Sequence, residues 1–143
     1  MTSKLRAARG FTLLELMIVV VVMAILATIA ITQYGRYAYR ARRADGQELL
    51  MRVANAQERY YATFNHYAAD PVTGDLKLGS VNSEKGYYKV ELDSDDPTKA
   101  YTVTATPIGD QLKDVCGPLS IDSTGTKLPA ATDTSKNSNG RCW

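Results

Sequence analysis

Between Gly10 and Tyr34 the chain reads GFTLLELMIVVVVMAILATIAITQY. After Phe11 come about 22 almost wholly apolar residues, enough for a helix to cross the ~30 Å hydrocarbon core of a bilayer. One residue breaks the run near its start, Glu15. A lone carboxylate in hydrocarbon costs roughly 2.5–3.5 kcal/mol on insertion scales, so it is a functional residue by default and needs a partner. An ordinary secretory signal places an A-x-A-like cleavage site after its apolar stretch. No such site follows here. The small residue stands before the run, at Gly10, with Lys4, Arg6 and Arg9 upstream.

The helical pattern continues past the apolar run. No proline occurs from Gln33 to Phe64, and Leu49, Leu50, Val53, Ala56, Tyr60, Tyr61 and Phe64 recur at helical spacing as one stripe. Arg43, Asp45, Glu48, Arg52, Asn55 and Glu58 occupy the other face and are expected in water. A helix from Phe11 to about His66 would be about 80 Å long, apolar all round in its first half and amphipathic in its second. Gly35 and Gly46 weaken it by up to ~1 kcal/mol each relative to alanine. Asp70-Pro-Val-Thr-Gly-Asp ends the helix and opens an irregular connection to about Gly86.

Two strands follow. Tyr88, Val90 and Leu92 alternate with Lys89 and Glu91, and Tyr101, Val103 and Ala105 alternate with threonines. The turn Asp93-Ser-Asp-Asp-Pro-Thr-Lys between them makes an antiparallel hairpin. A third strand is expected near Leu119–Asp122, then a turn at Thr124-Gly125. The polar tail Ala131–Gly140 is expected to be a surface loop, tethered by Cys142 rather than by packing. At 143 residues the chain supports one modest domain.

The N-terminal pattern G-F-T-L-L-E resembles the class III signal of type IV prepilins. That resemblance implies cleavage after Gly10 by a prepilin peptidase, N-methylation of Phe11, and retention of the apolar run as a polymerisation helix. It implies a division into leader (1–10), hydrophobic helix (11–34), amphipathic half-helix (35–66) and globular part (67–143). The implied architecture is α+β, the type IV pilin fold: a long N-terminal helix on a small antiparallel sheet with a cysteine-bounded C-terminal segment. The stretch GQELLMRVANAQERYY, with TVTATP and the closing CW, resembles the PilE-type minor pilins of the type IVa system.

Removing Lys4, Arg6 and Arg9 with the leader leaves fourteen basic against fifteen acidic side chains, a net charge of −1. The mature chain is therefore not polybasic overall. Basic residues before the apolar run orient the leader to the cytoplasm and the remainder outside. Both cysteines, Cys116 and Cys142, then lie on the exported side, where an even cysteine count reads as a disulfide. Closing that loop is worth roughly 3 kcal/mol in the chain-entropy model. The competing reading is two free thiols or half a metal site, which the spacing and the single histidine, His66, do not favour.

Nothing in the sequence brings a nucleophile and base together, and there is no Gly-rich phosphate loop. No enzyme activity, metal or cofactor is expected; the work is non-covalent assembly. By resemblance, Glu15 pairs with the methylated amine of Phe11 in a neighbouring subunit, and the partners are other pilin subunits, the peptidase, the inner membrane and the pilus assembly machinery. Type IVa pilins carry a glycine and a proline inside the apolar helix, where this chain has Ala24 and Thr32, so the helix is expected to stay continuous, with Gly35 the likelier bend.

Arg36, Arg40, Arg42 and Arg43, interleaved with Tyr34, Tyr37 and Tyr39, suit nucleic-acid contact. They suit interfacial anchoring beyond an apolar span better, and DNA contact is the weaker reading. Asp93, Asp95 and Asp96 read as a solvated turn rather than a calcium loop, and Tyr87, Tyr88 and Tyr101 as strand packing. The expected function is a structural subunit, a minor pilin that primes or joins the filament, in a machine serving adhesion, twitching motility and DNA uptake. The alternatives are a major pilin, a type II secretion pseudopilin, and a membrane-anchored binding module.

Overall fold

A computed structural model describes residues 10–71 and 76–143. The leader residues before Gly10 and the segment 72–75 of the expected helix-breaking connection lie outside the described residues. The chain divides into two compact units, Met1–Gly35 and Arg36–Trp143. Helix α1 spans Leu13–Phe64, supplying most of what is described in the first unit and opening the second. Helical conformation persists through Ala24–Thr32.

Among the described residues of the first unit every large apolar side chain is exposed, from Phe11 at 83% to Val22 at 48%. The segment is long and apolar enough to cross a membrane. Thr28 is tolerated within it because its hydroxyl donates to the Ile25 carbonyl at 2.7 Å, inside the helix itself.

In the second unit α1 ends at Phe64 rather than His66. Asn65 takes a left-handed conformation (φ 54°) and returns its N–H to the Tyr61 carbonyl at 2.8 Å, a helix stop that asparagine adopts readily. Strands β1 (Tyr88–Asp93), β2 (Thr102–Pro107), β3 (Leu119–Asp122) and β4 (Lys127–Leu128) form one antiparallel meander in chain order. The hairpin register sets Val90 opposite Ala105 and Leu92 opposite Val103. Leu49, Leu50 and Val53 of α1 share one buried cluster with Tyr88, Val90, Tyr101, Val103, Ala105, Leu119 and Ile121. The apolar stripe of the helix and the inward face of the sheet thus meet as their two periodicities require.

Phe64 departs from the stripe: it is exposed and stacks on Tyr60, ring centroids 4.5 Å apart. Strand β4 carries no sequence signal, since two residues cannot display an alternation. It forms because Asp122 Oδ1 accepts the N–H groups of Thr124 and Thr126 and reverses the chain, which sets Lys127 opposite Ile121.

Gly46 sits where the helix meets the sheet. A Cβ there would come within 2.9 Å of the Tyr88 ring. The glycine lets a fully buried tyrosine lie against the helix backbone, and this close approach is the reason for a residue that helix propensity disfavours.

Candidate functional site

The N-terminal end of α1 is built by Thr12. Its Oγ1 accepts the N–H of Glu15 and its carbonyl accepts the N–H of Leu16, both at 3.2 Å. This is an N-cap, with Glu15 three residues on as in a capping box. A carboxylate in the first turn also complements the positive end of the helix dipole. Gly10 and Phe11 lie before the helix, non-helical and exposed, so the expected scissile bond lies outside the helix. Leu14, Met17, Ile18, Val21 and Val22 line a shallow groove of about 380 Å³. These positions form one stripe at helical spacing, open to lipid or to another helix.

A second group lies in the other unit, around the C-terminal segment. Cys116 and Cys142 are joined by a disulfide with Cα atoms 5.7 Å apart. Arg43 is 2% exposed. Its Nε donates to Asp114 Oδ2 at 2.7 Å and its Nη2 to Oδ1 at 2.6 Å. Its Nη1 reaches three successive carbonyls, Asn139, Gly140 and Arg141, at 3.1, 3.1 and 3.0 Å. One guanidinium thereby binds both arms of the disulfide loop.

Arg43 belongs to a row. Asn139 Nδ2 donates to the Arg36 carbonyl at 3.0 Å. The Arg40 side chain crosses Gly140 so closely that a Cβ there would meet Arg40 Nε at 2.8 Å. Gln47 Nε2 donates to the Cys142 carbonyl at 2.8 Å. Positions 36, 40, 43 and 47 fall on one helix face, and residues 139–142 are laid along it.

This corrects two sequence expectations. Arg43 and Asp45 do not face water: Arg43 is the buried clamp, and the 6%-exposed Asp45 accepts the N–H groups of Lys85 and Tyr87 at 3.1 and 3.4 Å. The tail is not held by Cys142 alone, because the clamp, Gln47 and the Cys142 N–H bond to Asn137 Oδ1 at 2.9 Å also hold it. It contains a short 3₁₀ turn, Lys136–Asn139. The polar stripe was present in the sequence as a second helical spacing; its acidic partner, 71 residues away, was not.

Behind the clamp, Gln111 Nε2 contacts Asp114 Oδ2 at 3.1 Å and the Tyr88 hydroxyl at 3.0 Å. Burial pushes the Tyr88 phenol up to about 12, the Gln111 hydrogen bond opposing it. Burial likewise raises Tyr101, with the nearby Glu58 carboxylate adding to the effect.

Exposed cations border this region, with the Asp133 carboxylate close to Lys136. Arg36, Arg40, Lys127, Lys136 and Arg141 are exposed. Lys127 Nζ stands 4.8 Å from the centroid of the Trp143 ring, and Trp143 Nε1 donates to the Leu128 carbonyl at 2.8 Å. Arg42 instead covers Tyr87, 4.7 Å from its centroid. Of the arginine cluster seen in the sequence, then, one member is buried, one stacks on Tyr87 just before β1 and two flank the tail. Lys136, Arg141 and Trp143 were missed by the sequence reading because they are scattered singly through a polar tail.

Asp96 on the β1–β2 turn accepts from Lys99 Nζ at 2.7 Å and from Thr98. These bonds, Lys99 foremost, hold its carboxyl down at about 2. No group of three or more metal-ligating side chains gathers among the described residues.

Residues 32–120 match the family described as "Type IV minor pilin ComP, DNA uptake sequence receptor", and residues 5–31 match the prokaryotic N-terminal methylation motif. The structure is similar to that of a type IV pilin from Shewanella oneidensis, with a TM-score of 0.54 and 28% identity, over 73% of this chain and 97% of that one. No curated protein sequence matches the chain.

Proposed function

The chain belongs to the type IV minor pilin ComP family and is a minor subunit of a type IV pilus; from that premise we propose that it presents a DNA-contact surface on its exported domain. The observation that carries this reading is the set of exposed cations around the C-terminal segment, Arg36, Arg40, Lys127, Lys136 and Arg141, beside Trp143. Cationic side chains displace counterions from phosphates and supply most of the affinity for a duplex. The indole beside them is covered by Lys127 and packs against the core, so it reports on this face. With a net charge near zero overall, the attraction is local to this face. The description of the family as a DNA uptake sequence receptor supports the same direction.

On this reading the chain is cut after Gly10 and methylated at Phe11, and it waits in the inner membrane with its second unit in the periplasm. Glu15 then pairs with the Phe11 amine of a neighbouring subunit as the helix enters the filament. Two opposite charges in a low-dielectric bundle strongly prefer pairing to isolation. The exposed apolar helix supports that step. Its contribution is binding and assembly rather than catalysis.

Trp143 is the single tryptophan of the chain, so its fluorescence reports this face directly. Titrating full-length protein in detergent micelles with a short duplex should quench it, with affinity falling steeply as salt rises. Replacing Lys136 or Arg141 by alanine should reduce the log–log salt slope by about 1 each. Absence of binding at low salt would reject the reading.

A further inference from the structure

We infer that Arg43 is a positioning residue for DNA contact: it holds residues 139–142 against α1 so that the Arg141 side chain is presented outward beside Arg40 and Lys136. The inference rests on the DNA reading above. Three successive carbonyls, those of Asn139, Gly140 and Arg141, turn inward to one Nη1. A backbone whose carbonyls all point to the helix has its orientation set, and the exposed Arg141 side chain leaves on the solvent side. The disulfide alone cannot do this. It fixes Cys142 to Cys116 but leaves the dihedrals of the preceding residues free.

The clamp is rigid for identifiable reasons. Arg43 is anchored by a bidentate fork to Asp114, the geometry in which a guanidinium is pre-organised and an ammonium is not. Asp114 in turn lies two residues before Cys116 and accepts from Gln111. The same guanidinium therefore sets both ends of the loop relative to α1. Gly140, at φ 76°, passes beneath the Arg40 side chain, which brings an exposed arginine of the helix next to those of the tail. A binding face assembled before DNA arrives avoids the ordering cost at the moment of binding.

Arg43→Lys keeps the charge, and with it the long-range field, but a compact ammonium cannot satisfy the fork and three carbonyls together. Gly140→Ala leaves the ion pair intact and strains the tail backbone, because the conformation there (φ 76°, ψ 168°) is open essentially to glycine alone. Both variants are compared with wild type, as full-length protein in detergent micelles, by duplex titration at several salt concentrations and by amide exchange at Asn137 and Cys142.

The expected result is at least tenfold weaker DNA binding for both variants. The salt slope should be shallower by one or two phosphate contacts (about 0.9 each), and exchange at the two amides at least tenfold faster. A merely structural role would change thermal stability and leave the salt slope alone. Folded Arg43→Lys protein binding DNA as tightly as wild type would overturn the inference; if that variant does not fold, wild-type affinity in Gly140→Ala overturns it. Wild type failing to bind DNA would reject the DNA reading, and unchanged amide exchange in the variants would separately reject the ordering role.

Discussion

Arg43 Nη2 meets Asp114 Oδ1 at 2.6 Å with both side chains almost wholly withdrawn from water, at 2% and 0% exposure. The bond ties the amphipathic half of α1 to the residues that lead into the disulfide. Breaking a buried pair from one side strands a charge, which typically costs 3–5 kcal/mol. We expect Arg43→Met or Asp114→Ala to destabilise the second unit by that amount in urea titrations followed by Trp143 fluorescence. Arg43→Met with Asp114→Leu should recover much of the loss, and a double-mutant cycle gives the coupling directly.

Gly46→Ala should destabilise although alanine is the better helix former. The propensity gain is at most ~1 kcal/mol, whereas the new methyl would stand 2.9 Å from the Tyr88 ring, and overpacking of this kind costs typically 1–3 kcal/mol. A rise in the urea midpoint would show that the ring moves aside freely.

Glu15→Ala and Glu15→Val should be processed and membrane-inserted yet poorly incorporated into filaments. Thr12 still caps the helix in both, since its hydroxyl binds the residue-15 N–H rather than the carboxylate. Quantitative mass spectrometry of sheared fibres and of membranes separates these pools. Normal abundance of either variant in the fibres would reject the pairing of Glu15 with the Phe11 amine.

Alkaline pH should unfold the second unit as its buried tyrosines ionise. The Tyr88 phenol, at 10.0 when free and about 12 in the fold, favours the folded state only while neutral. Its contribution is fully present below about pH 10 and lost as pH rises through about 12. Loss of near-ultraviolet circular dichroism should therefore track phenolate absorbance in that window, and unfolding already complete below pH 10 would contradict the assignment.

Residues Ala24–Thr32 should remain helical in an assembled filament. The chain is helical there on its own, and neither residue at the matching positions breaks a helix. Filament density with this segment unwound would refute the expectation.

The sequence by itself determined the elements whose signals are local. An uninterrupted apolar run with one carboxylate specifies a helix needing apolar surroundings and a charged partner. Alternation specified the β1–β2 hairpin and its inward face, and two cysteines allow a single intramolecular bond. Tertiary structure alone decided the fate of the arginines. Helical periodicity says which residues share a face, but it cannot say whether that face meets water, lipid or protein. Arg43 is buried because Asp114 and three tail carbonyls, brought from 71 and more residues away, satisfy its guanidinium. Arg42, its neighbour in the chain, turns to Tyr87 instead. Strand β4 and the tail's path along α1 are of the same kind, since each depends on partners distant in sequence and has no period of its own to read.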